Sequence, residues 1–420
     1  MTSARRRFAF LAVLGPGILV AATGVGAGDL LTASYAGSRH GLVLLWAAWL
    51  GAILKWFLNE GIARWQMATD TTVLEGWTDR LGRWIRWIFL GYLLVWSIFT
   101  AGALINACGV AGTGLLPLSD DLRTSKIIWG VVHSVAGLLL VRLGGFKLFE
   151  RLMSVFIAVM FVSVILTALL IRPDWGAVAV GLTVPRIPEG GLGYLLGVLG
   201  GVGGTVTLLS YGYWIREKNR HGVQGVRICR IDLGVGYLMT AVFGVALIII
   251  GSRVHLEKGP SMALELAGQL GGVMGPAGKW VFLAGFWGAV FSSLLGVWQS
   301  TPYFFADFLA LGRRESGHRL EGVDLARTVP YRVYLVLITF VPLPLLWLSV
   351  ERAQLIYAVL GSLFMPLLAL TLLLMNNRAR WVGRELRNGW VTNVVLVGTL
   401  LFFSYIVLRK TAEVIGKVAG

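Results

Sequence analysis

The chain has 420 residues, of which 56% are hydrophobic and only 14% charged, and its mean hydropathy is +0.76. Soluble globular domains carry about 25% charged residues, so this composition excludes a soluble domain and indicates an integral membrane protein. The formal charge of +16 falls in short loops between apolar runs rather than on one contiguous basic face, which excludes a nucleic-acid-binding surface and fits membrane topology instead.

The first apolar run follows Arg5-Arg6-Arg7. It continues past Gly28 without an Ala-x-Ala cleavage site, so it reads as a retained span rather than a signal peptide. A helical span needs roughly 20 mostly apolar residues. By that measure eleven spans are expected, at about 10–38, 42–64, 84–111, 126–141, 148–171, 192–215, 232–251, 279–310, 331–349, 352–375 and 389–408. Positively charged loops stay in the cytoplasm, and an inside N-terminus puts 23 Lys and Arg on that side against 12 outside. The expected location is therefore a bacterial-type inner membrane, with the N-terminus cytoplasmic and the C-terminus outside. Cys108 and Cys229 imply no disulfide framework.

Spans one and six are each interrupted by glycines, at Thr23-Gly24-Val25-Gly26-Ala27-Gly28-Asp29 and at Gly200-Gly201-Val202-Gly203-Gly204-Thr205-Val206-Thr207. Small residues permit close helix crossing in membranes, but five glycines among positions 197, 200, 201, 203 and 204 exceed what a crossing needs. Unwinding is the favoured reading. Non-helical backbone is tolerated at membrane depth only where it faces protein or a water-filled cavity, so two breaks suggest a polar site between them. The breaks occupy corresponding first positions if residues 1–171 and 192–375 form two repeats, and five spans per repeat invert the second, leaving 389–408 as an extra helix. The chain then forms one transporter domain over 1–420, since each half needs the other to cover its broken helix.

Asp29 is the first candidate ligand, because an ionisable group inside a span is costly enough to suggest function. Its carboxylate would hold a cation together with carbonyls freed around Thr23, Gly26, Gly28, Gly201 and Gly204, or it would simply cap the second half of span one. Thr205 and Thr207 would either contact a substrate or cap the second half of span six. Tyr211, about one turn further on, would line an inner cavity or pack. In span two Glu60 and Arg64 stand four apart and can pair on one face, as structural neutralisation or as a gate contact. Ser292 and Ser293 in span eight would line the pathway or serve as interhelical glue. His133 is isolated and reads as packing. No His/Glu/Cys cluster has catalytic-metal spacing and no Ser nucleophile elbow appears, so neither an enzyme nor a cofactor is expected.

Three stretches carry a resemblance: Gly15-Pro16-Gly17-Ile18-Leu19-Val20-Ala21, the run from Leu54 to Trp65, and Met375-Asn376-Asn377-Arg378 before the last span. Together they resemble the Nramp family of divalent metal-ion transporters over nearly the whole chain. The resemblance implies an all-α leucine-transporter-type fold, with helices 1 and 6 unwound around a cation site. In that family the first break reads Asp-Pro-Gly-Asn, which falls on Gly26, Ala27, Gly28 and Asp29 here. The usual ligand Asp is thus replaced, and a carboxylate stands where the family has Asn. The second break, Gly-Ala-Thr-Val-Met-Pro-His-Asn, falls on Gly200 to Thr207, so Met becomes Gly204, Pro becomes Thr205 and His becomes Val206. Loss of a soft sulfur ligand weakens selection of Mn or Fe over Mg. The pattern points toward the Nramp-related magnesium transporters, with Mg or Mn carried as a partly hydrated ion. The missing His and the apolar stretch from Thr100 to Ala107 imply little proton coupling. The expected partners are the divalent ion and the lipid bilayer, with no obligatory protein partner. The alternatives are a transporter of a small cationic or zwitterionic organic solute, with Asp29 and Trp96, Trp214 or Trp287 as its binding groups, and a non-transporting membrane protein on the same scaffold.

Overall fold

The computed structural model describes residues 15–25, 27–201, 204–218, 220–253, 262–313 and 324–419, all helical apart from turns and short connections. The helices used below are α1 (Gly15–Gly24), α2 (Ala27–His40), α3 (Leu45–Thr69), α4 (Arg83–Leu115), α5 (Leu122–Leu170), α6 (Leu192–Gly201) and α7 (Ser210–Glu217). They continue with α8 (Gly222–Ser252), α9 (Met262–Arg313), α10 (Val329–Phe340), α11 (Val350–Ser362), α12 (Phe364–Asn376) and α13 (Trp390–Ala419).

Among the described residues six segments are long and apolar enough to cross a membrane: Arg83–Leu115, Leu122–Gly144, Lys147–Leu170, Gly222–Ser252, Gly275–Leu311 and Val329–Trp347. Gly15–Gly24, Leu360–Asn376 and Trp390–Tyr405 are shorter apolar helices. The 25-residue α3 is long enough but carries Lys55, Glu60 and Arg64, all buried.

Several boundaries differ from the sequence reading, each for a backbone reason. The expected spans at 126–141 and 148–171 form one helical run, α5. Nothing between Arg142 and Lys147 removes a backbone donor, so the i to i−4 ladder continues. In α9, Gly275 leaves the helical region at φ 74° immediately before Pro276, which separates a first segment from the long buried one. The expected span at 352–375 is divided between α11 and α12 at Leu363. Pro366 lacks the N–H that would have bonded to the carbonyl of Ser362, and the ladder breaks there. The helix α8 begins ten residues before the expected boundary at 232 and buries Cys229.

The interrupted first span is braced along its length by α8. At one end Gly236 meets Gly17, where a β-carbon on Gly236 would lie 3.0 Å from the Gly17 carbonyl carbon. At the other end a β-carbon on Gly251 would lie 2.7 Å from Cα of Ser34, and one on Gly37 would lie 2.8 Å from the Ser252 nitrogen. Backbone-to-backbone approach of this kind maximises van der Waals contact where lipid offers no hydrophobic drive between helices. The two pieces α1 and α2 are thereby held on one continuous rod despite the gap between them.

Gly251→Leu should therefore push α2 off α8. The expected cost is about 1–3 kcal/mol, as for overpacking in a close-packed interior, and it is measured as a lowered melting temperature of the detergent-solubilised protein against an exposed control such as Gly398→Leu.

Candidate functional site

Regular helix stops at Gly24 and resumes at Ala27. The last carbonyls of a helix have no partner within it, and in a hydrocarbon-embedded protein they require other donors. Two adjacent serines of α9 supply them. Ser292 Oγ lies 3.1 Å from Ala22 O and 3.0 Å from Ala289 O of its own helix, and its proton serves one of these at a time. Ser293 Oγ lies 3.1 Å from Thr23 O, 3.4 Å from Val25 O and 3.5 Å from Ala22 O, and its single proton serves one of these at a time. Thr23 is packed against Gly296 of the same helix, where a β-carbon would sit 2.7 Å from Thr23 Cβ. Its own Oγ1 is buried and has no hydrogen-bond partner among the described residues.

The second interruption begins where α6 ends, at Gly201. Gly204 takes φ +85°, a left-handed value that costs glycine nothing. Thr205 follows at φ −130°, ψ −102°, and a 3₁₀ turn over Val206–Leu209 leads into α7. The two interruptions touch: a β-carbon on Gly204 would lie 3.4 Å from Gly24 Cα. Lys55 of α3 reaches this region from the side, its Nζ donating to Gly200 O at 2.8 Å.

The cap roles considered for Thr205 and Thr207 are not seen. Neither side chain caps a helix start, because the 3₁₀ turn moves the first residue of α7 to Ser210 and Leu208 N bonds to the backbone carbonyl of Thr205 at 3.0 Å. Thr205 Oγ1 instead accepts from the Trp96 indole at 3.2 Å, and both threonines are buried at the break. Gly28 and Asp29 lie in the first turn of α2, but Gly26, Val202 and Gly203 and the side chain of Asp29 lie outside the described residues. Among the described residues no group of three His, Cys, Asp or Glu is arranged to hold a metal. Among the described residues the polar groups at the breaks are backbone carbonyls, the hydroxyls of threonines and serines, the Trp96 indole and the Lys55 side chain.

The remaining candidates lie in polar knots around α7 and α3. Tyr211 donates to Asp232 Oδ2 at 3.1 Å, and Arg220 pairs with the same oxygen at 2.8 Å. Glu60 pairs with Arg64 and also accepts from Arg230 Nε at 2.9 Å, while Arg64 donates to Arg387 O and Asn388 Oδ1, each at 3.2 Å. The pair is buried. A third knot escaped the sequence reading. Asp307 Oδ2 accepts from Tyr213 at 2.6 Å and from Thr72 at 3.0 Å. Thr72 caps the turn that holds Glu75, and Glu75 pairs with Arg216 at 3.2 Å. Asp232 and Asp307 were legible by the rule that singled out Asp29, since each is an acid within a strongly apolar run.

Removing the Glu60 carboxylate would leave Arg64 as an uncompensated buried charge. Glu60→Ala is expected to cost about 3–5 kcal/mol, read as loss of folded, monodisperse protein; Arg230→Ala, whose side chain is half exposed, is expected to cost much less.

A model of natural resistance-associated macrophage protein-like sequences, Nramp, matches residues 17–412. The divalent metal cation transporter MntH of Chromohalobacter salexigens is 25% identical over 265 residues, which cover 60% of this chain and 59% of that protein. The chain thus aligns with well under two thirds of the curated relative's length. Among solved structures, a variant of the manganese transporter of Eremococcus coleocola superposes with a TM-score of 0.76 at 19% identity, covering 98% of this chain and 88% of that one. MhsT in complex with L-phenylalanine superposes with a TM-score of 0.57 at 18% identity, covering 94% of this chain and 97% of that one. These likenesses carry the fold. The match over nearly the whole sequence carries the family: the chain is an integral membrane protein with several apolar helices and belongs to the Nramp family.

Proposed function

We propose that this protein is a secondary-type transporter that moves divalent metal cations across the membrane through the space where the two helix interruptions meet. The observation that carries this reading is the contact between Gly24 and Gly204, which brings two interrupted helices together beside a buried Thr23 hydroxyl without a partner among the described residues. Ion pathways at mid-membrane are built where half-helix ends converge. The proposal includes an eleven-span arrangement, with Leu122–Gly144 and Lys147–Leu170 of α5 counted as two spans, spans one and six unwound, repeats over 1–171 and 192–375, one further helix, and the N-terminus cytoplasmic. MntH of Chromohalobacter salexigens is named as a divalent metal cation transporter and the Eremococcus protein as a manganese transporter, which supports the same substrate class.

The ion is Mg or Mn and keeps part of its water shell. Hydroxyls and carbonyls are hard ligands that suit either ion, and glycines at 24, 200, 201 and 204 leave room for waters. Asp29 supplies the negative charge from the first turn of α2. Proton coupling is weak or absent, because the stretch from Thr100 to Ala107 on α4 contains no titratable side chain and Val206 occupies a position at the second break that cannot carry a proton. The membrane potential then drives entry, at about 2.3 kcal/mol per elementary charge for each 100 mV.

In proteoliposomes Asp29→Ala should reduce Mn uptake at least tenfold, with Asp29→Glu retaining part of it; undiminished uptake by the alanine variant would remove Asp29 from the mechanism. Thr23→Val, which keeps the shape and removes the hydroxyl, should weaken ion affinity several-fold with little change in melting temperature. A small cationic organic solute is the second reading, favoured by the Trp96 indole at Thr205. A thermal-shift comparison of Mg and Mn against simple amines separates the two, since only the ligand of the folded state raises apparent stability.

A further inference from the structure

The two interruptions are partnered by different chemistry. At the first, neutral hydroxyls of Ser292 and Ser293 cover the carbonyls that end α1. At the second, the carbonyl of Gly200 receives an ammonium, Lys55 Nζ, at 2.8 Å. The placement is built into α3. Gly51, one turn earlier on the same face, lets that helix press against α6, where a β-carbon on Gly51 would lie 3.2 Å from Leu199 Cα. Lys55 then has only 1% of its surface exposed and projects to the end of α6. The C-terminal carbonyls of a helix carry its partial negative charge, so this oxygen is one of the places at the break where a cation is most favoured.

An ammonium and a divalent cation seek the same hard oxygen, and two positive charges side by side in a site of low dielectric repel strongly. We propose that Lys55 is a tethered cation that competes with the transported ion for the carbonyl end of the second interruption and so sets the affinity and selectivity of the site. The inference rests on the divalent-cation reading above. With Nζ on Gly200 O, an ion reaches that oxygen directly only by displacing the side chain. An ion that keeps its waters tolerates the competitor, because it contacts protein oxygens through its hydration shell. An ion that exchanges its waters readily for protein oxygens gains most when the competitor is removed. Lys55 thus favours Mg over Mn.

The test compares wild type with Lys55→Met, Lys55→Gln and Lys55→Arg in lipid nanodiscs, measuring free Mn by electron paramagnetic resonance with Mg as competitor. Lys55→Met and Lys55→Gln should bind Mn at least tenfold more tightly and shift the Mn-to-Mg preference toward Mn, whereas Lys55→Arg, which keeps the charge, should stay near wild type. Lys55→Gln keeps a neutral donor for Gly200 O, so it carries the test should Lys55→Met fail to fold. A second readout is the rise in melting temperature on adding Mn, which should be larger in the neutral variants than in wild type. Folded neutral variants with unchanged or weaker Mn affinity would overturn the inference while leaving the transport reading intact. If neither wild type nor any variant binds Mn or Mg, the divalent-cation reading itself fails, and this inference with it.

Discussion

Every backbone carbonyl released inside a hydrocarbon layer must find a donor within the protein, and the architecture of this chain is organised around meeting that demand at two places. A continuous helix meets it internally. Here α1 ends at Gly24 and α6 ends at Gly201, and their last carbonyls are met by side chains from helices distant in sequence: Ser292 and Ser293 of α9 and Lys55 of α3. Those donors are what make the interruptions compatible with a membrane interior. The two breaks meet where Gly204 approaches Gly24 Cα.

Holding two broken helices in register requires unbroken ones beside them. The α8 helix serves the first break, touching α1 through Gly17 and Gly236 and α2 through Ser34, Gly37 and Gly251. Serine and glycine also let α9 lie close to the end of α1 along Ser292, Ser293 and Gly296. At the second break the wall is Gly51 of α3 on one side, with Gly361 of α11 against Thr205 on another. Small residues therefore have two separate uses in this chain. At Gly204, with φ +85°, glycine permits a backbone conformation; at Gly51, Gly236 and Gly251 it permits an approach.

Around α7 the protein concentrates buried charge. Asp232 with Arg220, Glu60 with Arg64 and Arg230, and Asp307 with Tyr213 and Thr72 tie α3, α7, α8 and α9 to one another and to the segment before α13. Charged groups excluded from water persist only with partners, and partners drawn from several elements fix how those elements sit. Asp307 Oδ1 has no partner among the described residues even though Oδ2 accepts twice. The α7 half-helix is thus anchored in its first turn by hydrogen bonds from Tyr211 and Tyr213, directly after the 3₁₀ turn attached to the break.

Membrane character and the stops in regular helix at Gly24 and Gly201 were legible in the sequence, because each depends on local composition: hydrocarbon demands apolar side chains, and clustered glycines disfavour helix wherever they stand. Boundaries were less so. The continuity of α5 and the split at Leu363 depend on which individual amide finds its acceptor, a matter that average hydropathy does not register. The partners of the breaks were not legible at all. Ser292 and Ser293 read equally well as pathway or packing residues, and Lys55 is one of several polar residues in the second span. Which carbonyl each donor meets is decided by helices more than 140 positions apart coming together, and that pairing exists only once the chain has packed.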